Sequence, residues 1–144
     1  MDNRELLARL IKCEAGGEGD NGMKAVASVV LNRVRAPGGE YQRIGQGNVR
    51  NVIYQKGQFD CTRPVLGGVA NPQTLWANPP EQIHYDIADW ALAGNRLFTV
   101  GASLWYFNPY APCPYLFPYN GNGTFQVKVE NHCFYNPTAS YFQS

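Results

Sequence analysis

Leu7, Leu10, Ile11 and Glu14 recur at i, i+3, i+4 and i+7, the spacing of one face of an α-helix. Three of the four positions are apolar and the fourth is an acid. Asp2 or Asn3 can cap this helix, Glu5 sits in its first turn, and Gly16 and Gly17 follow Ala15 and end it. Met23, Val26, Ala27, Val30 and Val34 form a second stripe and predict a helix over 23–34, capped by Asp20 or Asn21. Ala25, Val29 and Leu31 add apolar area on its other sides, so this helix is expected to be largely buried. Asn32 and Arg33 close it, where they can hydrogen-bond the loop beyond Glu14. Residues 36–48 read as a loop from their Pro and Gly content. Asn48 then caps a short helix carrying Val49, Val52 and Ile53, and residues 56–60 turn the chain and present Phe59. Residues 61–78 read as irregular. Pro79 and Pro80 open a third long helix with a core stripe of Ile83, Ile87, Trp90 and Ala91, ended by Gly94. His84 lies one place off that stripe and reads as a surface or structural residue.

The period changes after Leu97. Residues 103–107 form a short strand, 108–123 a loop rich in Pro, Tyr and Asn, and Phe125, Val127 and Val129 alternate with polar residues at strand period. Residues 132–135 continue extended. A helical first two-thirds followed by a small antiparallel sheet is an α+β plan. With no repeat and no low-complexity linker, residues 1–144 read as a single domain.

Composition narrows the function classes. Hydrophobic residues make up 44% and charged residues 16%, too apolar and too weakly charged for a disordered chain. The net charge of +1 argues against nucleic acid or anionic lipid as partner, and no apolar run is long enough for membrane insertion. The first ten residues lack a basic segment followed by an apolar one, so no secretory signal is expected and synthesis is placed in the cytoplasm. Cys13, Cys61, Cys113 and Cys133 form no CxxC pair, and with His84 and His132 they match no usual zinc spacing. They read as free buried thiols, with a Cys113–Cys133 disulfide as the alternative in an oxidising surface layer. No cofactor or metal is expected: a nucleotide-binding glycine pattern, HExxH and GxSxG are all absent. Tyr and Trp within Pro- and Asn-rich sequence offer flat surfaces suited to sugar rings or a protein partner.

Glu14 is the strongest candidate for chemistry. On the inner stripe of its helix it would be desolvated, and at the C-terminal end it would feel the negative end of the helix dipole. Both effects raise a carboxyl pKa and suit a general acid. The competing reading is an acid at a frayed helix end that reaches solvent around the glycines.

Glu14, Ala15, Gly17, Glu18, Gly22, Ala25, Val26, Val29, Asn32 and Arg33 form the pattern EA-x-GE, a Gly four residues on, AV-x-x-V, then NR. Together with residues 52–59 (VIYQKGQF), 104–109 (LWYFNP) and 131–138 (NHCFYNPT), this block resembles the SleB/CwlJ cell-wall hydrolases, the spore cortex-lytic enzymes of endospore-forming bacteria. The run from SLWYF through CP to HCFY is more similar to the CwlJ branch. The resemblance spans nearly the whole chain. It implies a single lysozyme-like catalytic domain of the kind found in lytic transglycosylases and resuscitation-promoting factors. It implies cleavage of the β-1,4 bond between N-acetylmuramic acid and N-acetylglucosamine in cortex peptidoglycan during germination, with Glu14 as the catalytic acid. It also implies synthesis in the mother cell and a place at the spore coat–cortex boundary, with a spore-coat protein as a possible partner. A lytic transglycosylase needs one carboxyl group; a muramidase-type hydrolysis would use a second, for which Glu18 is the candidate. Glu18 could instead brace the glycine loop or pair with Arg33. Tyr106, Asn108 and His132 join Asn32 and Phe59 as candidate substrate-binding residues: Tyr106 to hydrogen-bond or stack on a sugar, Asn108 to hold an N-acetyl group, His132 to position the acid. Core packing is the plain alternative for Phe59 and Tyr106, and a satisfied polar residue at a strand start for His132. A non-catalytic peptidoglycan- or coat-binding protein, and a zinc module built on Cys113, His132 and Cys133, are the rival classes.

Overall fold

The computed structural model describes residues 1–118 and 121–143. Helix α1 (Asn3–Ala15) is capped by Asp2, whose carboxylate accepts from the Glu5 amide at 2.8 Å. Its inner stripe of Leu7, Leu10 and Ile11, joined by Leu6, is fully buried. Each such side chain contributes about 1.5–3 kcal/mol of burial. Helix α2 (Gly19–Arg35) starts four residues earlier than its apolar stripe predicts. Gly19, at φ +76°, makes the entry, and Glu18 occupies the N-cap position without a side-chain cap bond. The expected caps Asp20 and Asn21 therefore lie inside the helix. Ala25, Val26, Ala27, Val29 and Val30 are fully buried, so α2 is the central helix, packed by α1 and by α5 (Gln82–Leu92).

The 36–48 loop contains a helix, α3 (Gly39–Gly45), held by Tyr41, whose ring is buried beside Trp105 and Tyr141. Asn48 caps α4 (Val49–Tyr54), accepting from the Asn51 amide. Residues 61–78 are not wholly irregular: Asp60–Thr62 is a 3₁₀ turn, and β1 (Val65–Leu66) pairs with β2 (Val69–Ala70). Helix α5 begins after both prolines. Its inner face is turned relative to the expected stripe, with Ile83 39% exposed and His84 buried. The cause is local, because His84 Nδ1 accepts from the Glu81 amide at 2.9 Å and closes a capping box. Burial lowers the His84 pKa, with the Lys12 charge adding to the effect. Among the described residues, no helix is long and apolar enough to cross a membrane.

Strands β3 (Trp105–Phe107), β4 (Gly123–Val129) and β5 (His132–Pro137) make an antiparallel sheet of order β3-β5-β4. Tyr106 pairs with Phe134, and Val129 with His132. Strand alternation puts Tyr106, His132 and Phe134 on the face toward α2. Trp105, Cys133 and Tyr135 lie on the other, where they pack with Tyr41 and Tyr141 of α6 (Ala139–Phe142). Tyr119 and Asn120 of the 108–123 loop lie outside the described residues. The fold is α+β, as the pattern predicts.

All four cysteines are paired, which corrects the free-thiol expectation. Cys113–Cys133 fastens the aromatic loop to β5, and Cys13–Cys61 ties the end of α1 to the 3₁₀ turn 48 residues later. The sequence carries no sign of the second pairing, since it depends on the packing of α1 against that turn. With Cys113 and Cys133 bonded to each other, neither is a thiolate donor, and the zinc module fails.

Candidate active site

Glu14 lies on the last turn of α1, partly buried, where the end of the helix meets β3 and the 3₁₀ turn. The Tyr106 hydroxyl donates to Glu14 Oε1 at 2.5 Å. The disulfide sulfur of Cys61 lies 3.3 Å from Glu14 Oε2. One oxygen thus has a neutral donor and the other a polarisable, apolar neighbour. Burial raises the Glu14 pKa above the ordinary carboxyl value. The Tyr106 hydrogen bond and the Arg33 and His132 charges work against that rise, and the Asp60 charge adds to it. Glu14, in turn, adds to the burial that drives the Tyr106 phenol well above its usual pKa, so Tyr106 stays a proton donor.

Glu18, four residues on, has a different environment. His132 Nδ1 lies 2.7 Å from its Oε1, and the Asn131 backbone N–H and side-chain amide donate to it at 3.2 and 3.1 Å. This brings the β4–β5 turn onto the start of α2. Gly22 permits the approach: a Cβ there would sit 2.4 Å from Glu18 Cβ and 3.5 Å from Glu130 Cγ. His132 also packs edge-on against the Tyr106 ring at 5.2 Å. The chain Asn131–Glu18–His132–Tyr106–Glu14 therefore links the hairpin tip to the acid.

Arg33 is not the partner of Glu18. Its guanidinium donates to the Leu104 carbonyl at 2.8 Å and to Gln58 Oε1, and stacks over Tyr41 and Phe59. Buried behind the site, it supplies a fixed positive charge that Glu14 feels.

The other candidates separate. Tyr106 and His132 join the Glu14 cluster. Asn32 lies apart from that cluster: its amide donates to the Gly101 and Ser103 carbonyls at 2.9 and 3.0 Å and pins the approach to β3. Phe59 is 2% exposed and packs in the core beneath Arg33, which corrects its assignment to the cleft. A buried phenyl after a Gly-containing turn cannot be told from a cleft one by pattern. Asn108 is partly exposed and accepts from the Tyr110 amide at 2.9 Å, a local turn that leaves its amide nitrogen for a ligand. Two features escaped the sequence reading. Asp60 is 76% exposed and close enough to raise the Glu14 pKa. The Cys13–Cys61 disulfide lies against the acid; Cys13 directly precedes Glu14, but nothing in the sequence points to Cys61 as its partner.

A cavity of about 660 Å³ lies elsewhere, lined by Asn32, Arg35, Arg96, Phe98 and Leu104 among others, and Glu14 does not border it. Glu14 and Tyr106 are each only partly buried, so the acid is not sealed off where the end of α1 meets β3.

Comparison with known proteins identifies the family and the fold. The family described as Cell Wall Hydrolase matches residues 17–135, a span that takes in Glu18, Tyr106 and His132 and begins just after Glu14. The chain is similar to the cell wall hydrolase CwlJ of Bacillus subtilis, 35% identical over 94% of this chain and 85% of that one. It is likewise similar to CwlJ of Oceanobacillus iheyensis, 33% identical over 94% and 87%. Among solved structures, the catalytic domain of the germination-specific lytic transglycosylase SleB from Bacillus anthracis superposes with a TM-score of 0.67 at 22% identity, covering 93% of both chains. The catalytic domain of Bacillus cereus SleB gives 0.68 at 23%, covering 93% and 89%. At those identities the superposition establishes the shared lysozyme-like fold. The match over most of its length, together with the CwlJ relatives, places this chain in the cell wall hydrolase family.

Proposed function

We propose that this chain cuts the glycan strand of peptidoglycan between N-acetylmuramic acid and N-acetylglucosamine as a lytic transglycosylase, with Glu14 as the single acid and base. The observation that carries this reading is the contrast between its two acids. Glu14 is held in a desolvated notch against a neutral phenol, whereas the oxygens of Glu18 are taken up by His132 and Asn131. With Tyr106 donating to Oε1, the proton of neutral Glu14 resides on Oε2 and is given to the glycosidic oxygen as that bond breaks. The ionised carboxylate then takes the proton of the muramic C6 hydroxyl as that oxygen attacks C1, closing a 1,6-anhydro ring. The substrate supplies the nucleophile, so no second carboxylate is required. Tyr106 steadies Glu14 as it ionises, and the Glu18–His132 brace fixes the ring of Tyr106.

The wall in question is the spore cortex, with the protein at the coat–cortex boundary and a coat protein as partner. The germination-specific description of the SleB neighbour and the CwlJ relatives support the cortex as substrate. Hydrolysis is the second reading, and Asp60 favours it: this exposed acid, 3.7 Å from Arg63, is near enough to raise the Glu14 pKa, whereas the Glu18 oxygens are taken up by His132 and Asn131. Digestion of purified cortex fragments by the wild type and by Glu14→Gln, read by mass spectrometry, tests the proposal. Anhydromuramic ends that vanish in the variant are expected. Reducing muramic ends that vanish both in Glu14→Gln and in Asp60→Asn would replace transglycosylation by hydrolysis.

A further inference from the structure

Glu14 shares its notch with two sulfurs. The donor atoms of Cys13, Glu14 and Cys61 all lie within 4.8 Å of one another, and Cys61 Sγ is 3.3 Å from Glu14 Oε2. In the structure the sulfurs are bonded to each other and offer no thiolate. Breaking that bond would leave two thiols and a carboxyl group converging on one point. Zinc takes thiolate sulfur at about 2.3 Å and carboxylate oxygen at about 2.0–2.2 Å in a tetrahedron, whose sulfur–oxygen edges come to roughly 3.5 Å. The observed sulfur–oxygen separation is close to such an edge. The bond is also reachable. A cavity of about 190 Å³, lined by Arg9, Lys12, Gln73 and Leu75 among others, opens on Cys13, which is only partly buried.

We propose that the dithiol form of this chain holds a thiophilic divalent cation, zinc being the natural one, on Cys13, Cys61 and Glu14, and that the Cys13–Cys61 disulfide excludes it. The switch rests on the assignment of Glu14 as the acid. A small dithiol reductant delivers two electrons and two protons to the two cysteine sulfurs and is itself oxidised to a cyclic disulfide. Zinc then displaces both thiol protons and the Glu14 proton to solvent, and water completes the fourth position. A carboxylate bound to zinc has no proton to give, so the metal-loaded chain is latent. Exchange with an external disulfide reverses the transfer: the Cys13–Cys61 bond re-forms, the external disulfide takes two electrons from the thiolates and two protons from solvent to become two thiols, the metal leaves, and Glu14 regains its proton from solvent. A chain made in a reducing compartment would thus be silent until it reached an oxidising one.

The test reduces the full chain with dithiothreitol, desalts it without oxygen, dialyses it against zinc sulfate and counts bound metal by elemental analysis, with far-ultraviolet circular dichroism as a check on folding. The expected result is about one zinc per reduced chain and none on the oxidised chain or on a Cys13→Ser/Cys61→Ser double variant. Reduced Glu14→Gln should bind roughly tenfold more weakly or worse, since even the loss of an outer partner of a metal ligand costs that much. Cobalt in place of zinc should show thiolate-to-metal charge-transfer bands. Cleavage of peptidoglycan by the reduced wild type should fall on adding zinc and return on chelation, while in the double variant the ratio of activities with and without zinc stays near one. A reduced chain that holds no zinc, that holds it equally well without the cysteines or without Glu14, or that unfolds on reduction would overturn the proposal. Zinc counting is independent of catalysis: a metal-free Glu14→Gln that still cleaves would refute the acid assignment and leave the binding result standing.

Discussion

The two ends of the Gly16–Gly17 turn carry one glutamate each, and the fold treats them oppositely. At the C-terminal end of α1, Glu14 faces a phenol and a disulfide sulfur, in a place where burial and the helix dipole both disfavour its charge. At the start of α2, Glu18 sits where the helix dipole favours an anion and receives an imidazole, a backbone amide and a side-chain amide. Two carboxyl groups four residues apart become a proton donor and a brace through their surroundings alone. Four residues of helix would put both acids on one face. Here the glycine turn separates two helix ends of opposite polarity, and that separation divides the roles.

The contrast predicts unequal losses. Glu14→Gln removes the only acid the mechanism uses and should lower turnover on cortex fragments by about 10²–10⁴-fold with the fold intact. Tyr106→Phe should cost less, roughly tenfold, and its pH profile carries the diagnostic sign. The Tyr106 hydrogen bond lowers the Glu14 pKa, so its removal should move the alkaline limb of the rate profile to higher pH. A limb that stays in place would detach Tyr106 from the acid. Glu18→Gln should act chiefly on stability, by about 1 kcal/mol in denaturant unfolding, because it leaves the Asn131 and His132 donors on the hairpin side poorly matched. A loss of turnover as deep as that of Glu14→Gln, without loss of stability, would make Glu18 catalytic and end the comparison.

The smallest effect is a stability difference with pH. The folded-state pKa of Glu14 is raised above 4.5, so the stability Glu14 contributes is fully present below that value. It is lost as pH rises through the raised folded-state pKa. Glu14→Gln lacks this loss. Its melting temperature relative to the wild type should therefore climb across that window and level off above it. A relative melting temperature that fell with pH would mean the folded state favours the ionised acid.

Much of the fold was legible because the helices α1 and α2 bury continuous stripes, and the strands alternate. The errors arose where a local bond outweighed periodicity. His84 turned inward to close a capping box and rotated α5, and α2 began at Gly19 because Glu18 was drawn to His132 and Asn131 instead of capping. Helix α3 was hidden by its glycines and is held by long-range aromatic packing of Tyr41 that no local pattern carries. At the site, the inward placement of Glu14 could be read from the stripe. The contact of Tyr106 with it depends on a pairing across 92 residues, and the disulfide beside it on one across 48. Phe59 and Asn32 show the converse: residues within the matching pattern serve the scaffold that carries Arg33 and β3.

The most direct test is the protonation state of Glu14 itself. Carbon-13 NMR titration of carboxyl-labelled glutamates, with the Glu14 signal assigned by its absence in Glu14→Gln, reads it without substrate. The account predicts a midpoint for Glu14 above that of an ordinary exposed glutamate. A midpoint at or below the ordinary value would mean that the notch holds a carboxylate rather than an acid, and the proposed chemistry would fall with it.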